Sequence, residues 1–503
     1  MKKLFAWTAA LSVAAAGVVA GIAPAQAASK TLTYGVISTI RSYAASSGEI
    51  ANKGPFYQAV YDTLIMQKPD GKYVGWLADK YTADKTGTVI TLHIRKGVKF
   101  TDGASVTPDA VKASIEAFQK GDSPRASDAA SIDSVSTKGE NVILNLKYAD
   151  PSIKWALSGA MYIQSPSTIG TDAAKKVPVG SGPYILNTSK TIVDSVYYFD
   201  ANPNYWNAKA RTFDSLVIKV LADPTAAVNA LKTGAVDVMN IADVNSVQSL
   251  KDAGFTISKQ RLDWVGLTFV DKSGRMGSPL KNVKVRQAIN MAFNRPALCQ
   301  AIAKGNCEVT EQVFASFYPG YDQNLDSTYP YDVAKAKALL AEAGYPNGFS
   351  IDMPTNAAFG TIAPAAIKQS LADIGITVNY TDVPIAQLFF QMQMPKFPAY
   401  YMSLGRQPEP YVLIKTQISR DGAWNPAGYG DSKTDALIVK IQQAKTPAEA
   451  ANYYKALNSY IVKQAWFAPI YQVDLMFGSS KNVKVTLQGG NAVPYLLYGI
   501  QPA

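Results

Sequence analysis

Asp84–Ala117 reads DKTGTVITLHIRKGVKFTDGASVTPDAVKASIEA, and its reading decides the fold. From Ile90 to Ile94 apolar and polar residues alternate, as in a strand with one buried face. Lys96-Gly97 breaks the pattern, Val98-Lys99-Phe100 resumes it, and Asp102-Gly103 is a tight-turn pair. Thr107 then predicts a helix N-cap, with Pro108 at the first helical position, Asp109 in the first turn, and Ala110, Val111 and Ile115 on the apolar stripe. The expected unit is strand, turn, strand and capped helix, and it contains no catalytic group.

Other segments on both sides carry equally definite patterns. A helix expected over Tyr57–Met66 runs into Tyr61-Asp62-Thr63-Leu64, and Trp76-Leu77-Ala78 precedes the central stretch. Two alternating strands flank Gly139-Glu140-Asn141. Val179-Gly180-Ser181-Gly182-Pro183-Tyr184 lacks the third glycine and the following helix of a dinucleotide loop, so it reads as a tight turn between strands. Asn202-Pro203-Asn204-Tyr205-Trp206 follows. A strand over Phe213–Val220, a helix opened by Asp223-Pro224 and stopped at Gly234, and a strand over Ala235–Met239 form a strand-helix-strand unit of the α/β kind. Further on, Val283–Ile302 has helical spacing and contains Val285-Arg286-Gln287-Ala288 and Arg295. Leu371–Val378 joins a helix to a strand through Gly375.

These stretches together resemble the extracellular solute-binding proteins of family 5, the peptide/nickel-type receptors of ABC importers. Arg95–Gly103 and Thr107–Val111 reproduce that family's signature, except that Ala110 stands where the family has an aspartate; Phe293 likewise replaces an isoleucine in the later helix. The resemblance implies an α/β, periplasmic-binding-protein-like fold: two large lobes with a hinge and an extra small subdomain. The expected division is a signal peptide over 1–27, lobe I over 28–60, 170–268 and 482–503, the inserted signature subdomain over 61–169, and lobe II over 269–481. Trp264–Phe269 is expected to be the strand crossing between lobes. The implied activity is capture of a small solute between closing lobes and its delivery to a permease driven by ATPase subunits. The receptor itself would be a monomer without a cofactor.

Composition agrees. Of the 503 residues, 48% are hydrophobic and 17% charged, which fits neither a disordered chain nor a polytopic membrane protein. Met1-Lys2-Lys3, an apolar alanine-rich run from Leu4 to Ile22, and Ala25-Gln26-Ala27 have the layout of a secretory signal, predicting cleavage near Ala27 and a periplasmic protein. A retained membrane anchor is the alternative, since the run nearly reaches spanning length. No cysteine follows the run to carry a lipid. Without Lys2 and Lys3, 47 of the 49 basic residues face 38 acidic ones, a balance of +9. No basic run or arginine-rich arm accompanies it, so a nucleic-acid partner is not expected. Export makes a disulfide between Cys299 and Cys307 the leading reading. An unbroken helix would hold them about 12 Å apart, too far to bridge, but Gly305-Asn306 can turn the chain back. Two free, buried thiols are the alternative.

The single histidine, His93, excludes a zincin motif and a His-rich metal centre, and no G-x-S-x-G elbow or phosphate-binding loop occurs. A secreted hydrolase is therefore the runner-up, and a receptor of this fold serving signalling or chaperone roles would look the same in sequence. The resemblance places ligand contacts at the end of the first strand, making Arg41 and Tyr43 candidates beside their reading as a polar loop. Trp264 and Trp424 are candidate aromatic walls or ordinary packed residues. In peptide-binding relatives an acidic residue near a D-P dipeptide holds the ligand's amino group. The matching stretch here, Leu404–Tyr411, is shorter; Glu409 replaces the aspartate, and Arg406, followed by Gln407, lies about where the acidic anchor would be. A cation there favours a carboxylate or phosphate over an ammonium group. The expected solute is thus anionic or neutral, and the scarcity of histidine disfavours bare nickel.

Overall fold

The computed structural model describes residues 30–50, 53–241, 243–405, 409–487 and 497–503. The expected signal segment, 1–27, lies outside them. The molecule is built on one nine-stranded sheet. Its strands, in chain order, are β1 (Thr31–Val36), β2 (Tyr184–Leu186), β3 (Val196–Ala201), β4 (Ser215–Val220), β5 (Val238–Asn240), β6 (Thr256–Phe269), β7 (Cys307–Val309), β8 (Ala399–Gly405) and β9 (Phe467–Ser479). The spatial order is β8-β6-β9-β5-β1-β4-β3-β2, with β7 on β9. β1 lies parallel to both β4 and β5, because the helix Pro224–Lys232 crosses between them. Asp223 caps that helix, its side chain accepting from the Ala226 amide.

The signature stretch folds as its residues dictate. Val89–Ile94 is a strand with alternating burial. Helix Pro108–Lys120 starts at Thr107, whose hydroxyl accepts from the Ala110 amide. The strand is part of a four-stranded antiparallel sheet with Ala78–Ala83, Asn141–Leu146 and Ile132–Lys138. Its apolar face, Leu92 and Leu144 included, shares one continuous core with Leu216 and Ile218 of the large sheet. A second core is built from Val265, Leu267 and Phe269 of β6 and the helices around them.

Two expected helices differ. The helix near Tyr57 spans Gly54–Val60 and stops there, with Tyr61 extended at φ −123° and ψ 153°. The reason is Asp62, whose buried carboxylate is drawn into a ring of donors. It accepts from the indoles of Trp76 (2.7 Å) and Trp206 (3.0 Å), Ser181 Oγ (2.9 Å), and the hydroxyls of Tyr205 (3.2 Å) and Tyr498 (3.3 Å). The glycines at 180 and 182 belong to the same knot: a Cβ on Gly180 would sit 2.1 Å from the Val60 carbonyl oxygen, and one on Gly182 2.4 Å from its carbon. Val283–Ile302, expected to be continuous, divides into helices Val283–Met291 and Arg295–Ala303. Asn294 breaks it by capping the second helix, its side chain accepting from the Ala297 amide, and Pro296 fits a first turn better than a helix interior. That second helix ends on Lys304 and Gly305 at positive φ (51° and 75°), which reverses the chain. Cys307 returns beside Cys299 and the two are disulfide-bonded, Cα atoms 6.1 Å apart.

Candidate functional site

β6 and β9 pass together through the molecule. At one end Thr256 pairs with Ser479 beside β5, and at the other Thr268 pairs with Phe467. Their pairing slips between Arg261 and Asp263 and again between Val265 and Gly266, the bends expected where two bodies join. Asn240 of β5 stands opposite Phe477, so the carboxyl ends of β5 and β1 point toward the part of β9 that enters the second lobe. β8 runs antiparallel to β6 and ends at Gly405, opposite Asp263. The carboxyl ends of β1 and β5 therefore face the crossing, and it is outside such strand ends that open α/β sheets bind ligands.

Arg41 and Tyr43 lie on the segment leaving β1. Arg41 is exposed. Tyr43 is buried, and its hydroxyl has no hydrogen-bond partner among the described residues. Burial, then the neighbouring Tyr197, Tyr57 and Tyr61, push that phenol well above its ordinary range. Trp264 is fully buried in a core cluster with Leu404 and Phe467. Its indole donates to Gln417 Oε1 (2.9 Å) and its ring meets Phe467 edge-on. Trp424 is half-buried; its amide donates to the Thr416 carbonyl (2.8 Å) and its ring meets Tyr400 edge-on. Arg406 and Gln407 lie outside the described residues.

Glu409 faces the inserted sheet. Its Oε1 accepts from the Tyr73 hydroxyl (3.0 Å), joining lobe II to the subdomain. Burial pushes the Glu409 carboxyl above its ordinary range; Tyr73 and Lys154 pull it down, and Asp150 adds to the rise. One turn on, Val412 packs on Trp155, and after another Lys415 Nζ donates to Asp150 Oδ2 (3.0 Å). Asp150 is itself held by Ser131 Oγ and Ser152 Oγ (each 2.6 Å) and by the Ser152 amide (2.8 Å). Lys415 sits in a π-helical turn, Ile414–Ile418, in which Gln417 holds Trp264.

The sequence brought forward Glu409 but not Tyr73, Asp150, Trp155 or Lys415. Glu409 and Tyr73 are 336 positions apart, Lys415 and Asp150 265, and no local pattern marks such pairs. His93 is a strand residue, its Nδ1 2.7 Å from Asp79 Oδ1. No group of three or more His, Cys, Asp or Glu among the described residues could hold a metal ion.

Two lobes hung on a shared pair of crossing strands, with an inserted sheet meeting one of them across a seam, define a bilobal α/β binding protein of the periplasmic type. Residues 72–425 match the model of the bacterial extracellular solute-binding proteins, family 5 (middle region), and the chain belongs to that family. It is 27% identical over 462 residues to the glutathione-binding protein GsiB of Shigella flexneri serotype 5b (strain 8401), covering 85% of this chain and 86% of that one. Among solved structures it is similar to the periplasmic binding protein DppA from Helicobacter pylori in complex with the peptide STSA (TM-score 0.79, 21% identity, 94% of this chain and 98% of that chain). It is similar also to AgaA from A. tumefaciens R10 in complex with agropinic acid (TM-score 0.80, 22% identity, 94% and 99%). The chain is a solute-binding component of an ABC importer; members of the family are periplasmic, bind small solutes and work with permease and ATPase subunits. No helix among the described residues is long and apolar enough to cross a membrane.

Proposed function

We propose that the protein is a monomeric periplasmic receptor, released from its signal segment near Ala27, that captures a small anionic or neutral solute and performs no chemistry on it. Lobe I would comprise 28–60, 170–268 and 482–503, the subdomain 61–169 and lobe II 269–481, with the solute between the segments leaving β1 and β8. One observation carries the solute class. Glu409, the carboxylate nearest the position of the peptide-binding relatives' amine anchor, is half-buried and already accepts from Tyr73. Burial favours the neutral form of that carboxyl and makes it a weaker anchor for an ammonium group, whereas Arg406, three residues earlier, offers a cation to a carboxylate. Glutathione, bound by the relative GsiB, and agropinic acid, bound by AgaA, both carry carboxylates.

The test is a thermal-shift screen of the mature protein with glutathione, zwitterionic dipeptides, organic acids, opines and metal chelates. A solute at a hundred times its Kd adds roughly 2.7 kcal/mol of stability, readily seen. Shifts from acidic solutes, lost in Arg406→Glu while the solute-free melting temperature stays the same, are expected. A shift from dipeptides with free amino groups and uncharged side chains, unaffected by that substitution, would overturn the anion reading.

A further inference from the structure

Lobe II and the subdomain meet along a seam that is mostly not packed. Three cavities, of about 430, 490 and 610 Å³, run along it, each lined from both sides. These clefts are open to solvent and leave the boundary without the close packing of an interior, as suits surfaces that come apart. Besides Tyr148, which packs on the lobe II core, the seam is held where Glu409, Val412 and Lys415, spaced three apart on one side of a helical turn, meet Tyr73, Trp155 and Asp150.

We infer that this short segment is a clasp whose contacts set how firmly lobe II closes, and hence how tightly solute is held. The inference rests on the reading of the protein as a closing receptor, and it adds the residues that govern closure. Three features suit a reversible clasp. Asp150 keeps three donors from Ser131 and Ser152 whether or not Lys415 is present, so opening leaves no unsatisfied buried carboxylate. The charged partner lost on opening, Lys415, lines one of the seam cavities and gains water. The clasp is also tied at both ends to parts that sense closure. It begins four residues after the end of β8, and its π-turn is anchored through Gln417 to Trp264 on the crossing strand β6. π-helical turns cost backbone regularity and recur where a segment must hold an unusual geometry for function. Lys415 and Glu409 are thus positioning residues for capture, and Trp264 positions them.

A label-distance measurement on the solute-free mature protein tests this. Spin labels at S136C on the subdomain and K337C on lobe II, both exposed positions, report the separation directly. The two native cysteines are bonded to each other and leave no competing thiol. The wild-type distribution should contain a short-distance population, and Lys415→Met and Tyr73→Phe should each lower the ratio of short to long distances, roughly fivefold together. Tyr73→Phe removes a single hydroxyl, so it keeps the test decisive if the lysine variant folds poorly. Distributions unchanged in both variants, or a wild type lying wholly at long distances, would overturn the clasp. No solute enters the experiment, so an error in the proposed solute class leaves its result intact.

Discussion

Asp62 shows what the family's motifs are for. Its five donors come from Trp76, Ser181, Tyr205, Trp206 and Tyr498, so the Y-D-T-L, V-G-S-G-P-Y and N-P-N-Y-W strings of the sequence converge on one carboxylate. Burial raises the Asp62 pKa while the donors from Trp206, Trp76, Ser181 and Tyr205 oppose that rise. Arg286 does similar work in the second lobe: its guanidinium donates to the carbonyls of Ala465 (2.9 Å), Leu280 (2.6 Å) and Gln464 (2.7 Å). Such residues are legible because the fold demands them, and for the same reason they say nothing of the solute. Asp62→Asn keeps the size but puts an amide NH₂ among donors. It should lower the unfolding free energy by about 3 kcal/mol, the cost of unsatisfied buried polar groups. Urea unfolding measures it, and a loss under about 1 kcal/mol would mean that the ring is not a keystone.

At the scale of elements, whatever was specified within a dozen residues could be read in advance. Thr107 and Asp223 each cap the helix their side chains announce. The turns at Gly139 and Gly234 take the positive φ that ends their elements (58° and 73°). Helices end earlier than their local pattern where a side chain has a stronger claim elsewhere, as with Asp62, or makes a new cap within an apolar period, as with Asn294. The π-turn Ile414–Ile418 was out of reach altogether, because its anchor is a tryptophan 153 positions away. The disulfide belongs at this scale too, since it closes only the reversal at Lys304-Gly305. Its loop is short, so the entropy removed from the unfolded chain is modest, and Cys299→Ser with Cys307→Ser should cost about 2–3 kcal/mol. A melting temperature that does not fall on reduction or in the double variant would show the link to be dispensable.

For the whole molecule, the sequence carried the architecture, and long-range meetings carried what it could not. The class of fold followed from strings that each solve a local problem. The seam did not, because Tyr73, Asp150 and Trp155 meet Glu409, Lys415 and Val412 only when lobe II arrives beside them. The same arrangement governs how the protein unfolds. β6 and β9 are continuous from one lobe to the other: Val265, Leu267 and Phe269 pack in the second core, while Met476 and Phe477 of β9 pack in cores of the first lobe. The inserted sheet has no core separate from lobe I. Losing either lobe would strip the other of paired strands and leave their ladder groups and apolar faces uncovered, a penalty paid by both halves. The mature protein should therefore unfold in a single calorimetric transition, with van't Hoff and calorimetric enthalpies in agreement, rather than lobe by lobe. Two separable transitions would mean that the crossing strands act as a tether between independent bodies. Closure would then draw on lobe-to-lobe contacts alone, and the clasp at 409–415 would carry a larger share of it.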